Sequence, residues 1–189
     1  MSYKELDLGC GKNKHPNAIG LDMNPGVNPD VLFEFKNRNL LPFANNSFDR
    51  VWAIDFIEHV SDISWLLSEI HRVCKPEAKV EIRYLHYSHK SAYSDVTHVQ
   101  RLGIHCLDHF DPSTKCGNKF SYYLFFGRNF PFRIERRQLD FSNTLRGKIS
   151  QTLSNLVGES IYENYLSNFF PINNVEYDLR VSKKLGGIE

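Results

Sequence analysis

The chain has 189 residues, 41% of them hydrophobic and 13% aromatic, which suffices for one buried core and is most simply a single domain. Lys and Arg total 23 against 22 Asp and Glu, so no global field recruits nucleic acid or an anionic membrane. No stretch reaches the roughly 18 apolar residues of a membrane span and the amino terminus reads as a strand rather than a signal peptide, so a cytoplasmic protein is expected.

Residues 4–8 and 18–23 have strand patterns, with a weaker one at 30–35. In "LDLGCG" (6–11) the first apolar run breaks at Gly9 and Gly11, and the second run ends in an acid, Asp22. Only residues 12–18 separate the loop from that second run. Ligands of open α/β sheets bind outside the carboxyl ends of the strands, so Asp22 reaches the glycines only if the two strands run parallel. The return must cover one strand length, roughly 17 to 20 Å, and about eight extended residues reach roughly 25 Å. An extended link therefore replaces the first crossover helix, leaving one sheet face thin near the amino terminus.

Residues 40–47 have turn chemistry, and "FDRVWAID" (48–55) suits a strand buried on both faces. Ser61 or Asp62 can cap a helix with its apolar stripe at Ile63, Leu66, Leu67, Ile70, Val73 and Cys74, ended by Pro76. A strand over 78–86 follows, and strand, helix and strand in this order imply a right-handed crossover in a parallel sheet. Residues 86–131 are rich in histidine and aromatics, with short helical patterns at 97–103 and 107–110. A segment of that length suggests a functional loop or lid. Strands at 132–141 and 175–183 flank a helix within 144–169 and close the same sheet. The chain thus divides into a cofactor half (1–86), an acceptor-side insertion or lid (86–131) and a closing part (132–189). Four cysteines without a CxxC pair read as reduced, packed thiols.

The glycine loop lacks the third glycine and the following helix that seat a pyrophosphate, with Asn13 where a further glycine could stand. Asp22 can still accept two hydrogen bonds from ribose hydroxyls. An adenosine ligand without phosphates suits these parts, and S-adenosylmethionine is the candidate.

On these residues the chain resembles the class I S-adenosylmethionine-dependent methyltransferases. Asp7, Gly9 and Gly11 are similar to that family's first motif, acid-x-Gly-x-Gly, and Asp22 to its ribose-binding acid. "LLPFANNSFDRVWAIDFIEHV" (40–60) resembles the adenine-side loop, the fourth strand and an LEH-like turn at Ile57, Glu58 and His59. "EIHRVCKPEAKVEI" (69–82) resembles the next helix and strand, with Glu77 and Ala78 replacing the usual glycines. Covering residues 4–86, the resemblance implies an α/β, Rossmann-like, doubly wound and mostly parallel sheet of seven strands with the last antiparallel. It implies S-adenosylmethionine as cofactor, held by Asp7, Gly9, Cys10, Gly11, Asp22, Met23, Leu41, Asp55, Phe56 and His59. Asp7 either meets the ligand or pins the loop through backbone amides. Cys10 serves packing or backbone contact, and Glu34 stands near where the family has an adenine-side acid.

Methyl transfer from a sulfonium is an in-line displacement, so positioning supplies much of the acceleration, and a hydroxyl acceptor gains from a histidine base. "LHYSHKSAYSDVTH" (85–98) resembles a stretch of a compact bacterial and archaeal branch of the family at His86, Tyr93, Asp95, Thr97 and His98. His86, or His98 oriented by Asp95, is the candidate base, each with a structural alternative. A zinc or iron site from His86, His89, Asp95 and His98 is a further reading, but no tight ligand motif is present and no metal is expected. His105 and His109 are spaced to pair. The turn used for nucleobase amino methylation is replaced by Asp55, Phe56, Ile57 and Glu58, and Arg133, Arg136 and Arg137 read as solvated edge guards. Nucleic acid is therefore not the expected acceptor. A small or saccharide-like acceptor with an oxygen nucleophile is expected; the alternative is a catalytically silent S-adenosylmethionine-binding sensor or partner subunit. The sequence leaves the oligomeric state open.

Overall fold

A computed structural model describes residues 3–36 and 38–183. Its strands are β1 (Glu5–Leu8), β2 (Ala18–Asp22), β3 (Val31–Leu32), β4 (Phe48–Ile54), β5 (Cys74–Leu85), β6 (Phe132–Asp140) and β7 (Asn174–Val181). They form one seven-stranded sheet in the order β3-β2-β1-β4-β5-β7-β6. β1 to β5 pair in parallel, and β7 runs antiparallel to both β5 and β6. The strand order reverses between β1 and β4, the switch point at which such sheets open a crevice.

The β1–β2 link contains no helix, as its length requires. Its His15 N–H donates to Asp7 Oδ2 at 2.8 Å, and Lys14 Nζ reaches Asp30 at 2.6 Å. The stripping goes further than the sequence implies: only the 3-10 turn Pro25–Val27 stands between β2 and β3, and among the described residues no helix joins β3 to β4.

Helix α1 (Ile63–Val73) buries its apolar stripe on the sheet and is capped by Asp62, whose side chain accepts the Trp65 N–H. It ends three residues before Pro76, which lies inside β5. The ladder explains the shift: Cys74 already pairs with Phe48, so sheet pairing claims the chain before the proline can break the helix.

Alternation sorts the sheet into two unlike faces. Val51, Val80, Ile82, Tyr84, Val175 and Leu179 lie on one face, each at most 1% exposed. Residues 100–110 cover this face, contributing buried Leu102, Ile104, Leu107 and Phe110, and Tyr177 donates to the Ile104 carbonyl at 2.5 Å. The helix expected over 97–103 is absent. The N–H groups of Val99 and Gln100 donate instead to the Glu58 carbonyl, at 2.9 and 3.0 Å, which fastens this backbone to a neighbouring turn. The segment's helices are α2 (Ser91–Ser94) and α3 (Lys115–Phe120), with 3-10 turns at Asp108–Phe110 and Tyr122–Gly127. A pair, α4 (Leu145–Val157) and α5 (Glu159–Tyr165), replaces the single helix expected after β6, broken at Gly158 with φ of +82°.

The other face carries charged side chains. Trp52 stacks on His15 at 3.7 Å and donates to Glu5 at 2.7 Å, and the Arg50 guanidinium lies 3.8 Å over the indole. Arg50 and Lys79 pair with Glu81, and Arg136 with Asp178 at 2.8 Å. Arg133 meets Glu77 as an exposed edge guard, whereas Arg137 departs from that expectation: it lies opposite Tyr177 on the covered face, where it pairs with the buried Asp108 at 2.8 Å and with Glu159. Among the described residues no helix is long and apolar enough to cross a membrane.

Candidate cofactor and acceptor site

Gly9 and Gly11 both have positive φ, +64° and +51°. A Cβ on Gly9 would overlap the Phe56 ring, so the residue must lack a side chain for that ring to lie across the loop. The Gly11 N–H donates to Asp22 Oδ2 at 2.9 Å and the Asn24 N–H to Oδ1 at 2.8 Å. The short link thus brings the acid into direct contact with the glycine loop. One amide on each oxygen leaves further lone pairs for a ligand.

Two cavities meet at Gly9 and Asp55. The larger, about 630 Å³, has Asp22, Met23, Phe35, Phe56, His59 and Val99 on its walls. Phe35 and Phe56 pack edge to face at 4.6 Å, giving it an aromatic side. The smaller, about 230 Å³, is polar: Asp7 and Asp55 face it with Lys12 and Arg83, around Cys10 and Gly11. Asp55 holds a left-handed φ of +52°, its N–H donating to the Arg83 carbonyl at 2.8 Å while Arg83 Nε reaches its Oδ1 at 3.0 Å. Such a conformation on a non-glycine residue costs of order 1 kcal/mol or more and clusters at functional sites. Burial pushes the Asp7 carboxyl up, with the His15 amide opposing, and pushes the Cys10 thiol up to about 11, leaving it unreactive.

Leu41 lies elsewhere. It is 2% exposed in the core, lines neither cavity, and its N–H donates to the buried Glu69 at 2.9 Å. The loop before β4 turns this side chain inward, which corrects the sequence expectation.

The histidines separate into distinct environments. His86 is fully buried, its Nε2 3.0 Å from Glu163 and its Nδ1 2.8 Å from Ser88 Oγ. Glu163 also accepts the Ile104 N–H at 2.6 Å, so His86 ties the end of β5 to α5 and the covering segment, with no face toward the crevice. His105 bonds Asp108 at 2.8 Å, and His109 stacks on Tyr122 at 4.7 Å, so these two do not pair. Asp95, Thr97 and His98 come together as expected, and His59 joins them. The His59 Nδ1 lies 3.2 Å from the Thr97 carbonyl and 3.1 Å from its hydroxyl, which donates to Asp95 Oδ1 at 2.6 Å. The His98 ring meets the His59 ring edge-on at 4.7 Å, with Nε2 3.8 Å from Asp95 Oδ2. His98 is the buried member and His59 the exposed one, lining the larger cavity with Thr97. The Thr97 hydrogen bonds hold the Asp95 carboxyl below its usual range. No three metal-ligating side chains converge among the described residues.

Residues 6–82 match the family described as methyltransferase domain. That match covers less than half of the chain, and the sheet around it is Rossmann-like. Methyltransferase GfsG of Streptomyces halstedii is 35% identical, over 42% of this chain and 37% of the relative. The chain spans well under half the length of the curated relatives it matches. A SAM dependent methyltransferase from Archaeoglobus fulgidus superposes with a TM-score of 0.55 over 94% of this chain and 86% of its own, at 16% identity. The cyclase SpnF does so equally well, TM-score 0.55 over 97% and 76% at 15% identity. The methyltransferase fold alone therefore leaves the chemistry to be argued from the site.

Two site residues had no sequence signal of their own. Arg83 sits in an ordinary strand pattern and reaches Asp55 only because β4 and β5 pair with Ile54 opposite Arg83. Phe35 enters the cavity from an irregular segment whose role depends on the absent helices.

Proposed function

We propose that the domain binds S-adenosylmethionine across the joined cavities and methylates an oxygen of a small or saccharide-like acceptor, with His59 taking the acceptor's proton. The junction at Gly9 and Asp55, with Asp22 facing the larger space, carries this reading. Asp22 accepts from the ribose hydroxyls, and Phe35, Phe56 and Met23 supply apolar walls for adenine. Asp7 and Asp55 with Lys12 and Arg83 match a zwitterionic amino-acid end charge for charge. The Phe56 face and the Asp55 carboxylate at the junction favour a cationic centre between the two ends. When bound, the cofactor supplies an electrophilic methyl on that centre.

The chain's own part is to hold the acceptor in line and remove a proton. In the neutral ring His59 Nδ1 donates to the Thr97 carbonyl, which leaves the Nε2 lone pair open toward the acceptor. The proton passes from the acceptor oxygen to Nε2, and ionised Asp95, behind the Thr97 hydroxyl, stabilises the resulting cation.

Calorimetry with S-adenosylhomocysteine tests the cofactor assignment. Asp22→Ala should lose about 1 to 3 kcal/mol of binding, roughly 5- to 150-fold in affinity. Asp22 also holds two backbone amides, so the melting temperature of the unliganded variant must show that it remains folded. Wild-type affinity in the folded variant would refute the assignment. A single-turnover assay with labelled methyl donor against pooled extract then reads the acceptor class, and binding without labelling would return the silent-binder reading.

A further inference from the structure

A third cavity, about 330 Å³, opens on the same carboxyl edge of the sheet. Ser88, His89 and Lys90 enter it from the chain leaving β5, and Ser142, Arg146 and Ser150 from the chain leaving β6 and from α4. No Asp or Glu lines it. Its two cations differ from those of the open sheet face, where Arg50, Lys79, Arg83 and Arg136 each meet a carboxylate. Arg146 donates to the Phe169 carbonyl and lies 5.9 Å over the Phe170 ring, partners that fix the guanidinium without cancelling its charge. The Lys90 ammonium has no hydrogen-bond or ion-pair partner among the described residues. His89 Nδ1 accepts the Ser91 N–H at 3.2 Å, so the neutral ring carries its proton on Nε2 and adds a donor. Burial and the neighbouring Lys90 charge both favour that neutral form. The first turn of α4 contains no acid, so its dipole adds to the positive potential.

The geometry points to a subsite for a phosphoryl group carried by the methyl acceptor, its oxygens bound by Lys90, Arg146 and His89. Donors from two separate chain segments surround a tetrahedral anion better than a planar carboxylate, and charge-assisted hydrogen bonds are the strong class. The two cavities are linked through one short segment: residues 88–90 line this one and Thr97 and Val99 line the cofactor cavity, with α2 between them in the chain. The acceptor role rests on the methyltransferase reading above, whereas anion binding at this cavity does not.

Inorganic phosphate titrated into the protein, with S-adenosylhomocysteine present, should bind saturably. Lys90→Gln and Arg146→Gln should each weaken it tenfold or more, with cofactor affinity unchanged. Lys148→Gln, on α4 but outside the cavity, should leave it as in wild type. Lys90 makes no side-chain bond that folding depends on, so its variant remains informative if Arg146→Gln unfolds. For a sugar phosphate that is methylated, KM should rise tenfold in Lys90→Gln and exceed tenfold in wild type once the phosphate is removed. Absence of saturable phosphate binding, or binding indifferent to Lys90, overturns the subsite. Lys90-dependent phosphate binding with equal methylation of phosphorylated and neutral acceptors overturns its acceptor role. Loss of the Asp22 effect on cofactor affinity would instead strike the methyltransferase reading.

Discussion

His59→Ala is expected to lose about 10²-fold or more in turnover at saturating acceptor, the usual scale of a general base, while binding S-adenosylhomocysteine within a few-fold of wild type. The separation follows from the site. His59 lines the larger cavity and its ring's polar contacts among the described residues both run to Thr97, whereas Asp22 and the glycine loop hold their geometry by themselves. Thr97→Val, which removes the hydroxyl between His59 and Asp95 but keeps the carbonyl, should cost less and lower the pH at which turnover is lost. His86→Ala should act on stability. Its ring is fully buried against Glu163, and removing it leaves that carboxylate short of a partner inside the fold. Full turnover in His59→Ala on an identified acceptor would show that no base is needed and that methyl transfer rests on positioning.

Folding stability should fall by about 3 kcal/mol as pH drops from about 6.5 to about 4, through His71. Burial pushes this imidazole from its ordinary 6.5 down to about 4, the Ser182 carbonyl opposing and Lys183 reinforcing. The ring is neutral in the folded chain, 7% exposed, and packs edge-on against Phe132 at 5.6 Å. In that interval the unfolded chain binds a proton that the folded chain refuses. The contribution is therefore complete above the unfolded value and declines toward the folded one. Asp7 and Glu58, whose carboxyls burial pushes up, work in the opposite direction, so the comparison must be made against a variant. Denaturant titrations at a series of pH values should show a flatter profile for His71→Gln than for wild type; parallel profiles would remove His71 as the cause.

The parts of the site legible in the sequence are those whose partners lie close along the chain. Gly11 and Asp22 are 11 residues apart; a shared site at the carboxyl ends required parallel strands, and the chain length then allowed only an extended link between them. The strand at 48–54 was legible as a strand but not as one-sided: expected buried on both faces, it buries only Val51 and Ala53 between Arg50 and Ile54, because among the described residues no helix covers the face that carries Arg50 and Trp52. The proposed base was not legible, because His59 owes its orientation to Thr97, 38 residues away, through a backbone carbonyl that carries no residue-specific signal. His86 sits at a strand's carboxyl end, as catalytic groups in this topology do, yet Glu163 draws it inward from a helix 77 residues on. The end of α1 was misplaced for a similar reason: a ladder bond at Cys74 outranked a local breaker.

The helix-free link between β1 and β2 also bears on the order in which the molecule assembles. The proposed ribose seat, closed over 11 residues, is a low-contact-order structure, whose loop-closure entropy is small and early. The proposed base is the opposite case, completed only when residues 95–99 dock on the turn at 57–60, and those residues are largely exposed. Local opening should therefore detach the base at a lower free energy than it disrupts the nucleoside seat. At modest denaturant concentrations the protein would then hold its cofactor and no longer use it.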